Sequence, residues 1–482
     1  MRSDCAIAER PLTIADLPDL LPAVLEPTYD LLLPDLLGGE VVVLPEQMPT
    51  GLPATAVRDL AAALAPQRVS RTARATPCPL PGPAVAGPVV IEEAACARLL
   101  AFLAQVSDRR AGRGRRYPLP YLLALPIVAM LAHHVDITDI AEWIGDAPAD
   151  LLLALGAPTG PTGHPRRPGA KTITDALTAH GEDYDRALCA FTGALARDHH
   201  QQHARGGLRR SLHVDGKALH GATGRGGRTP MLLSARFDDG TVAGQHTVPV
   251  EKTNEITVFA PLLDQVSDAD LAGTVVTADQ LHTQRGHAHY LHRRDGFFVF
   301  TLGGNQPCLF AAVDALPWTR IAVEHATIDR GHGRIEIRTI RTLPVTTTIA
   351  ELFPHAAQAF LLERYIYDTS GKPLGAVAVL GITNLTPAQA DGADLLAHVR
   401  GHWSIESLHW LRDVVLGEDD SRLASAARAL AALRNLIIGI CRLHGITRIS
   451  RQLRHNSRDP YQRPLILLGL AKPTRDQPVV KT

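Results

Sequence analysis

The hydrophobic and polar positions along this chain fall into three regimes. Between residues 91 and 203 the apolar residues recur every three or four positions, the spacing of helices with one buried face. Helices are expected over Ile91–Val106, Tyr121–His134, Thr138–Ile144 and Glu182–His203, with a short helical piece at Thr172–His180. In the last of the four, Tyr184, Leu188, Phe191 and Leu195 step by four, three and four along one face. From Leu208 the pattern becomes that of strands. SLHVD (211–215), MLLSARF (231–237) and TVAGQHTVPV (241–250) read as strands, the last two joined by the turn former Asp238-Asp239-Gly240. ITVFAPLLDQV (256–266) reads as a helix, TVVTA (274–278) as a buried strand ending in Asp279, Gln284–Arg294 as a helix and FFVFTL (297–302) as a strand. Antiparallel strands followed by helix, strand, helix and strand make a mixed sheet carrying helices, so the expected fold class is α/β. In the third regime, 303–390, IAVEHATID (321–329), GRIEIRTIRTL (333–343), QAFLLERYIYD (358–368) and AVAVLGITNL (376–385) form a β-rich insertion. A long helix over Asp391–Val415 and a strongly helical Leu423–His444 follow. Residues 446–482 form a basic C-terminal tail with Arg448, Arg451, Arg454, Arg458 and Arg463.

Composition narrows this picture in a few places. A chain of 482 residues has room for several domains, each with its own core. Residues 1–90 hold short apolar segments and a Pro-rich linker around 77–88, with no catalytic constellation. The formal net charge is zero, so any footprint for a polyanion must be local. Two loops offer one: Ser107–Arg116, with five arginines, and the Pro-rich His164–Lys171. Short helices joined by Arg-rich loops suit a phosphate backbone, which makes 91–203 the expected DNA-binding domain; the plainer alternative is solvated arginine. The six cysteines contain no CxxC pair, which argues against a thiolate zinc site or a disulfide framework and fits a reducing cytoplasm. The longest apolar run, Leu119–Ala132, is too short to span a bilayer and reads as a core helix, so no membrane partner is expected.

The chemistry-bearing stretch is Asp391–Val415. Ile405, Leu408, Leu411 and Val415 form an apolar ladder, while Val399, Trp403, Glu406, Trp410 and Asp413 form a second stripe. A carboxylate flanked by two indoles is costly to bury without a compensating cation. The compensation expected is a divalent metal shared with Asp215 and Asp279; the alternative is a Glu406 that reaches water past the Trp edges. If the strands carrying the two aspartates are neighbours, their carboxylates face each other. Mg²⁺ (or Mn²⁺) takes hard oxygen ligands, and a metal pair held by two aspartates and a glutamate suits phosphoryl chemistry. Among rival acids, Asp413 is expected behind Glu406, and Glu418 and Asp419 are expected to cap the next helix. His282, His287, His289 and His292 are spaced for no single helix face and read as solvated helix histidines rather than zinc ligands.

The words around the acids are more specific than their spacing. HVDGKALHG (213–221), EKTNEI (251–256), TADQLHTQ (277–284), FTLGGNQ (300–306), GHGRIEIR (331–338) and HWSIESLHWLRDVVLGEDDSR (402–422) occur in that order. Over residues 90–445 the chain resembles the bacterial insertion-sequence transposases of the ISAs type, the H-repeat-associated transposases of the DDE class. That resemblance implies a ribonuclease-H-like catalytic domain from 208–302 and 391–445, interrupted by the 303–390 insertion and preceded by the helical domain. It implies that Asp215, Asp279 and Glu406 are the metal-binding catalytic triad, using Mg²⁺ (or Mn²⁺). It also implies DNA as the partner, both terminal inverted repeats and target, with a homodimer to pair two ends. Lys252 and Asn254 are candidate phosphate contacts, with a structural turn as the alternative. His282 and Gln284 are candidates for DNA contact or for orienting the attacking water, with capping as the alternative. Where related families carry Tyr, Arg and Lys around the glutamate, this chain has Val399, His402 and Asp413, which leaves His402 as a candidate DNA contact. One glycine of FTLGGNQ stands where many relatives carry Lys. A metal nuclease that cuts without joining, and a copy that only binds DNA, share the same expected fold.

Overall fold

Leu119–Leu131 is apolar all the way round, and such a helix has to lie inside its domain. All of it but Pro120 is buried. The computed structural model describes residues 41–43, 89–112, 115–202, 207–223, 229–249, 255–331 and 333–473. The chain divides into two units, a first of residues 1–73 and 271–402 and a second of residues 74–270 and 403–482.

Strand β1 (Val41–Val43) belongs to the first unit. The second unit then opens with β2 (Val89–Ile91), α1 (Glu93–Leu103), α2 (Leu119–Leu131), α3 (Ile137–Asp146), α4 (Ala149–Ala154) and α5 (Ala170–Gln202). Asp136 caps α3, its side chain accepting from the backbone N–H groups of Thr138 and Asp139. Two features depart from the periodicity. The six residues of α4 are too few to show a repeat. Thr172–His180 and Glu182–His203, expected as separate helices, are one helix of 33 residues running through Gly181. A single glycine costs a helix only about 1 kcal/mol, and burial of Ile173, Leu177, Tyr184 and Leu188 outweighs that.

The same unit continues with β3 (Ser211–Ala218), β4 (Met231–Phe237) and β5 (Val242–Val248), an antiparallel set with β4 in the middle. Asp239 fixes the turn between β4 and β5 by accepting from the Thr241 N–H at 2.8 Å. The helix expected over 256–266 is shorter: a 3₁₀ turn, Glu255–Val258, and then α6 (Phe259–Leu263), which packs on β4 and β5.

In the first unit come β6 (Val275–Ala278), α7 (Arg285–Arg293), β7 (Phe297–Thr301), α8 (Pro307–Asp314), β8 (His325–Gly331) and β9 (Arg334–Pro344). After them come α9 (Thr347–Leu352), β10 (Gln358–Asp368), β11 (Pro373–Thr383) and α10 (Gly392–His402). The strands run in the order β6-β7-β11-β10-β9-β8, with β6 and β7 parallel and the other pairs antiparallel. The four strands of 303–390 therefore continue the sheet that β6 and β7 begin. Helix α10 lies on it, packing Leu395, Leu396 and Val399 against Val275, Val299 and Ile340.

The remainder of the second unit is α11 (Ser404–Trp410), α12 (Ala427–Leu443), α13 (Ile449–Asn456), α14 (Arg463–Leu467) and β12 (Ala471–Pro473), which pairs with β2. The long helix expected over Asp391–Val415 is broken: α10 ends at His402, α11 begins at Ser404, and Leu411–Val415 widens into a π-helical turn. Gly401, beside the break, is a weak helix former. Ala424–Leu443 is long and apolar enough to cross a membrane by length and composition, but 78% of it is buried inside the protein, where α12 packs against α5 and α2. The basic segment after 446 is folded as well. Asn456 donates to Leu131 O at 2.9 Å, and the Trp143 indole donates to Pro460 O at 3.2 Å.

The Arg-rich loop at 107–116 is organised by its own carboxylate. Asp108 accepts from Arg110 Nε and Nη2, both at 2.9 Å, while Arg109 pairs with Asp183 at 2.7 Å. The Arg110 hydrogen bond, aided by the Arg110 and Arg115 charges, holds the Asp108 carboxyl down to about 2. A depressed carboxyl stabilises the fold above the unfolded carboxylate range and loses that contribution as pH falls towards 2, so the loop should open only in strong acid. Asp108→Ala should open it at neutral pH, raising the rate of tryptic cleavage after Arg109, Arg110 and Arg115 by roughly tenfold. An unchanged digestion rate would show that the loop is held by something else.

Candidate active site

In the second unit the site is built from one strand and one helix. Asp215 and Lys217 are two apart on β3 and so share a face. Asp215 Oδ1 accepts from the Gly216 N–H at 2.9 Å, and Oδ2 lies 3.6 Å from Nδ1 of His409 on α11. Lys217, buried, reaches Asp413 Oδ2 at 2.7 Å. His409 and Asp413 are four apart, so two rungs, Asp215–His409 and Lys217–Asp413, join strand to helix. Burial pushes the Asp413 carboxyl up, and the Lys217 hydrogen bond only partly opposes that. Glu406 lies three residues before His409, on the same side of α11, and is exposed.

That exposure overturns the expectation of a carboxylate buried between indoles. Ile405, Leu408 and Leu411 of the expected ladder are buried and Val415 is half-buried, while Trp410 is 57% exposed and Trp403 half-buried, so Glu406 reaches water. Glu255 is closer to Asp215 than its word suggests. A Cβ at Gly216 would meet the Glu255 carboxylate at 2.4–2.5 Å, so only glycine lets that side chain lie against β3. Lys252 and Asn254 lie outside the described residues.

Glu418 does not cap α12. Its Oε2 accepts from Arg412 Nε at 2.8 Å and its Oε1 lies 3.4 Å from Arg434 Nη1, with all three side chains buried. This cluster follows the π-helical turn, an insertion frequent at functional sites, which lets Arg412 turn inward while Asp413 reaches Lys217.

In the first unit β6 runs into Asp279, whose Oδ1 accepts from the Leu281 N–H at 3.0 Å and caps the 3₁₀ turn Gln280–His282. A second sequence word, FTLGGNQ, braces this turn. Asn305 donates to Gln280 O at 2.6 Å and Gln306 to Thr283 O at 2.9 Å. A Cβ at Gly303 would come within 1.4 Å of Gln280 Oε1, so FTLGGNQ and TADQLHTQ close on each other. Gln284 commits its amide nitrogen to Leu281 O at 2.9 Å, the local structural role.

His402, the candidate DNA contact, is half-buried. Its Nδ1 lies 3.1 Å from Thr277 Oγ1, and burial, with the nearby His282, drives its pKa down to about 4. The histidines after Asp279 are not uniformly solvated helix residues. His282 and His287 are buried with stacked rings, 5.5 Å between centroids, and only His289 and His292 are exposed. His292 stacks on His355 at 3.8 Å between ring centroids. Among the described residues no three His, Cys, Asp or Glu side chains are grouped to hold a metal ion as they stand. The carboxylates of Asp215, Asp279 and Glu406 are chemically the hard oxygen donors that Mg²⁺ takes.

Residues 198–441, just over half of the chain, match the family described as transposase DDE domain, and residues 100–189 match the family described as DDE_Tnp_1-associated. The chain belongs to the transposase DDE domain family. Asp215, Asp279 and Glu406 all fall within the matched span. Over 243 residues the chain is 28% identical to "Putative protein YbfL" and to "H repeat-associated putative transposase YhhI", both of Escherichia coli (strain K12), covering 47% of this chain and 62% of each relative. It is 25% identical over 241 residues to "Putative transposase YncI" of Escherichia coli O157:H7, covering 48% of this chain and 61% of the relative. The chain thus spans a little under two thirds of the length of these curated relatives. A piggyBac transposase synaptic complex with hairpin DNA is similar over 78% of this chain and 81% of that one, at 10% identity and a TM-score of 0.37.

Proposed function

We propose that this chain is a DNA transposase whose catalytic domain is ribonuclease-H-like and whose catalytic acids are Asp215, Asp279 and Glu406. The observation that carries the reading is the transposase DDE domain match over 198–441, which spans all three acids. The three would hold Mg²⁺ or Mn²⁺, which when bound lowers the pKa of an attacking water and neutralises charge at the scissile phosphate. The chain's own residues set the stage for that chemistry. Asp215 is oriented by Gly216 and His409, and Asp279 by the Leu281 N–H. The Lys217–Asp413 pair anchors the segment just after Glu406 to β3. Lys252 and Asn254, from the word that also supplies Glu255, would contact phosphate. Water first cleaves the phosphodiester at each element end, leaving a 3′-hydroxyl. That hydroxyl then displaces a target strand in a transesterification that needs no external energy source. Pairing two ends calls for a homodimer acting in the bacterial cytoplasm.

The deciding experiment supplies the purified chain with Mg²⁺, pre-cut duplexes carrying the element's terminal repeats and a plasmid target. Joined products are expected. Cutting without joining would replace the transposase by a nuclease, and neither activity would leave a DNA-binding protein.

A further inference from the structure

Helix α13 buries Ile449, Gln452, Leu453 and Asn456, the i, i+3, i+4, i+7 face of an amphipathic helix. Its other face carries Arg451 and Arg454, exposed, with Arg448 just before the helix and Arg458 just after it, also exposed. The four are spaced by three, three and four residues and cover about 15 Å at the helical rise. Between residues 448 and 463 the sequence has one acid, Asp459. Among the described residues no carboxylate pairs with any of the four arginines. The loop at 107–116 differs, because Arg109, Arg110 and Arg115 there are paired with Asp183 or Asp108. The accumulated charge is also felt locally. His455 is lowered first by burial and then by Arg463, Arg458 and Arg451.

Four like charges on one short surface repel unless a polyanion lies across them. We infer that Arg448, Arg451, Arg454 and Arg458 form a cationic row that takes the phosphate backbone of a DNA duplex without reading its sequence. No exposed large apolar residue lies among them, which separates the row from the aromatic platforms of single-strand binders and from the apolar face of a membrane-surface helix. The inference rests on the transposase reading for its partner and moves the main phosphate footprint from the Arg-rich loop to α13.

The test is the salt dependence of binding of the full chain, without Mg²⁺, to a duplex of about 40 base pairs of arbitrary sequence. Each phosphate contact contributes about 0.9 to the slope of log affinity against log salt. The triple variant Arg451→Ala, Arg454→Ala, Arg458→Ala should lose roughly 2 to 3 of that slope, and the triple Lys variant should keep it. A folded Ala variant with the wild-type slope overturns the inference and leaves the transposase reading intact. Wild-type chain that shows no salt-sensitive binding to the duplex removes that reading too. Preference for anionic vesicles over the duplex also overturns the inference.

Discussion

Asp215→Asn, Asp279→Asn and Glu406→Gln are each expected to reduce Mg²⁺-dependent cleavage and joining by about three orders of magnitude or more while leaving duplex affinity within about twofold. The amide replacements keep shape and remove charge, which isolates the ligand role. Glu406 is exposed, so its replacement should leave stability within roughly 0.5 kcal/mol of wild type. Asp215 and Asp279 each accept a backbone N–H, from Gly216 and Leu281, and an asparagine oxygen can keep either bond. A loss of activity at unchanged melting temperature would therefore report on charge, not folding. Full activity in any one of the three variants would remove that residue from the triad. A variant inactive in both steps but still bound to DNA is the expected result, because the chemistry is positioning and charge neutralisation, whereas affinity comes from basic residues elsewhere.

The strands were legible because their signal is local. MLLSARF and QAFLLERYIYD are runs of apolar and β-branched residues bounded by turn formers, and β4 and β10 coincide with them. Helix continuity was not legible. The break between α10 and α11 and the passage of α5 through Gly181 are settled by packing, to which a weak helix former in the sequence is only a hint. That β8–β11 extend the same sheet as β6 and β7 follows from the pairing of Gly381 with Thr301, a contact eighty residues apart in sequence that no periodicity encodes.

For the site, the words name three candidate acids but not the residues around them. HVDGKALHG names Asp215, yet the roles of Lys217 and His409 appear only when β3 and α11 are seen side by side. The signal that could have found them is the i, i+2 spacing of Asp215 and Lys217 set against the i, i+4 spacing of His409 and Asp413. His282 and Gln284 are candidates for DNA contact because Gln and His are common base and phosphate ligands, with capping as the alternative. In the structure the amides of Gln284, Asn305 and Gln306 are taken up by backbone carbonyls of the same turn. Backbone satisfaction competes for the same side chains that nucleic acid would use, and sequence alone cannot say which wins.

Glu418→Gln is expected to destabilise the second unit by about 3–5 kcal/mol, because it leaves two buried guanidiniums without their shared counter-charge. That corresponds to a fall of roughly 10 °C in melting temperature. The side chains of Arg412, Arg434 and Glu418 are 0%, 2% and 4% exposed, so water cannot take the carboxylate's place. Burial lowers the Arg434 pKa, and the Glu418 charge is the first influence working against that fall. Glutamine can accept one hydrogen bond but cannot neutralise either cation. A second substitution discriminates the cause. Arg412→Met added to Glu418→Gln removes one of the stranded charges and should recover part of the loss, whereas two independent packing defects would add. The cluster also holds the chain immediately after the π-helical turn, so Glu418→Gln should weaken the His409 and Asp413 rungs before the unit unfolds. Thermal denaturation followed by far-UV circular dichroism measures the first effect. A midpoint within about 2 °C of wild type would mean that the guanidiniums find another acid, and the cluster would then lose its role in seating α11.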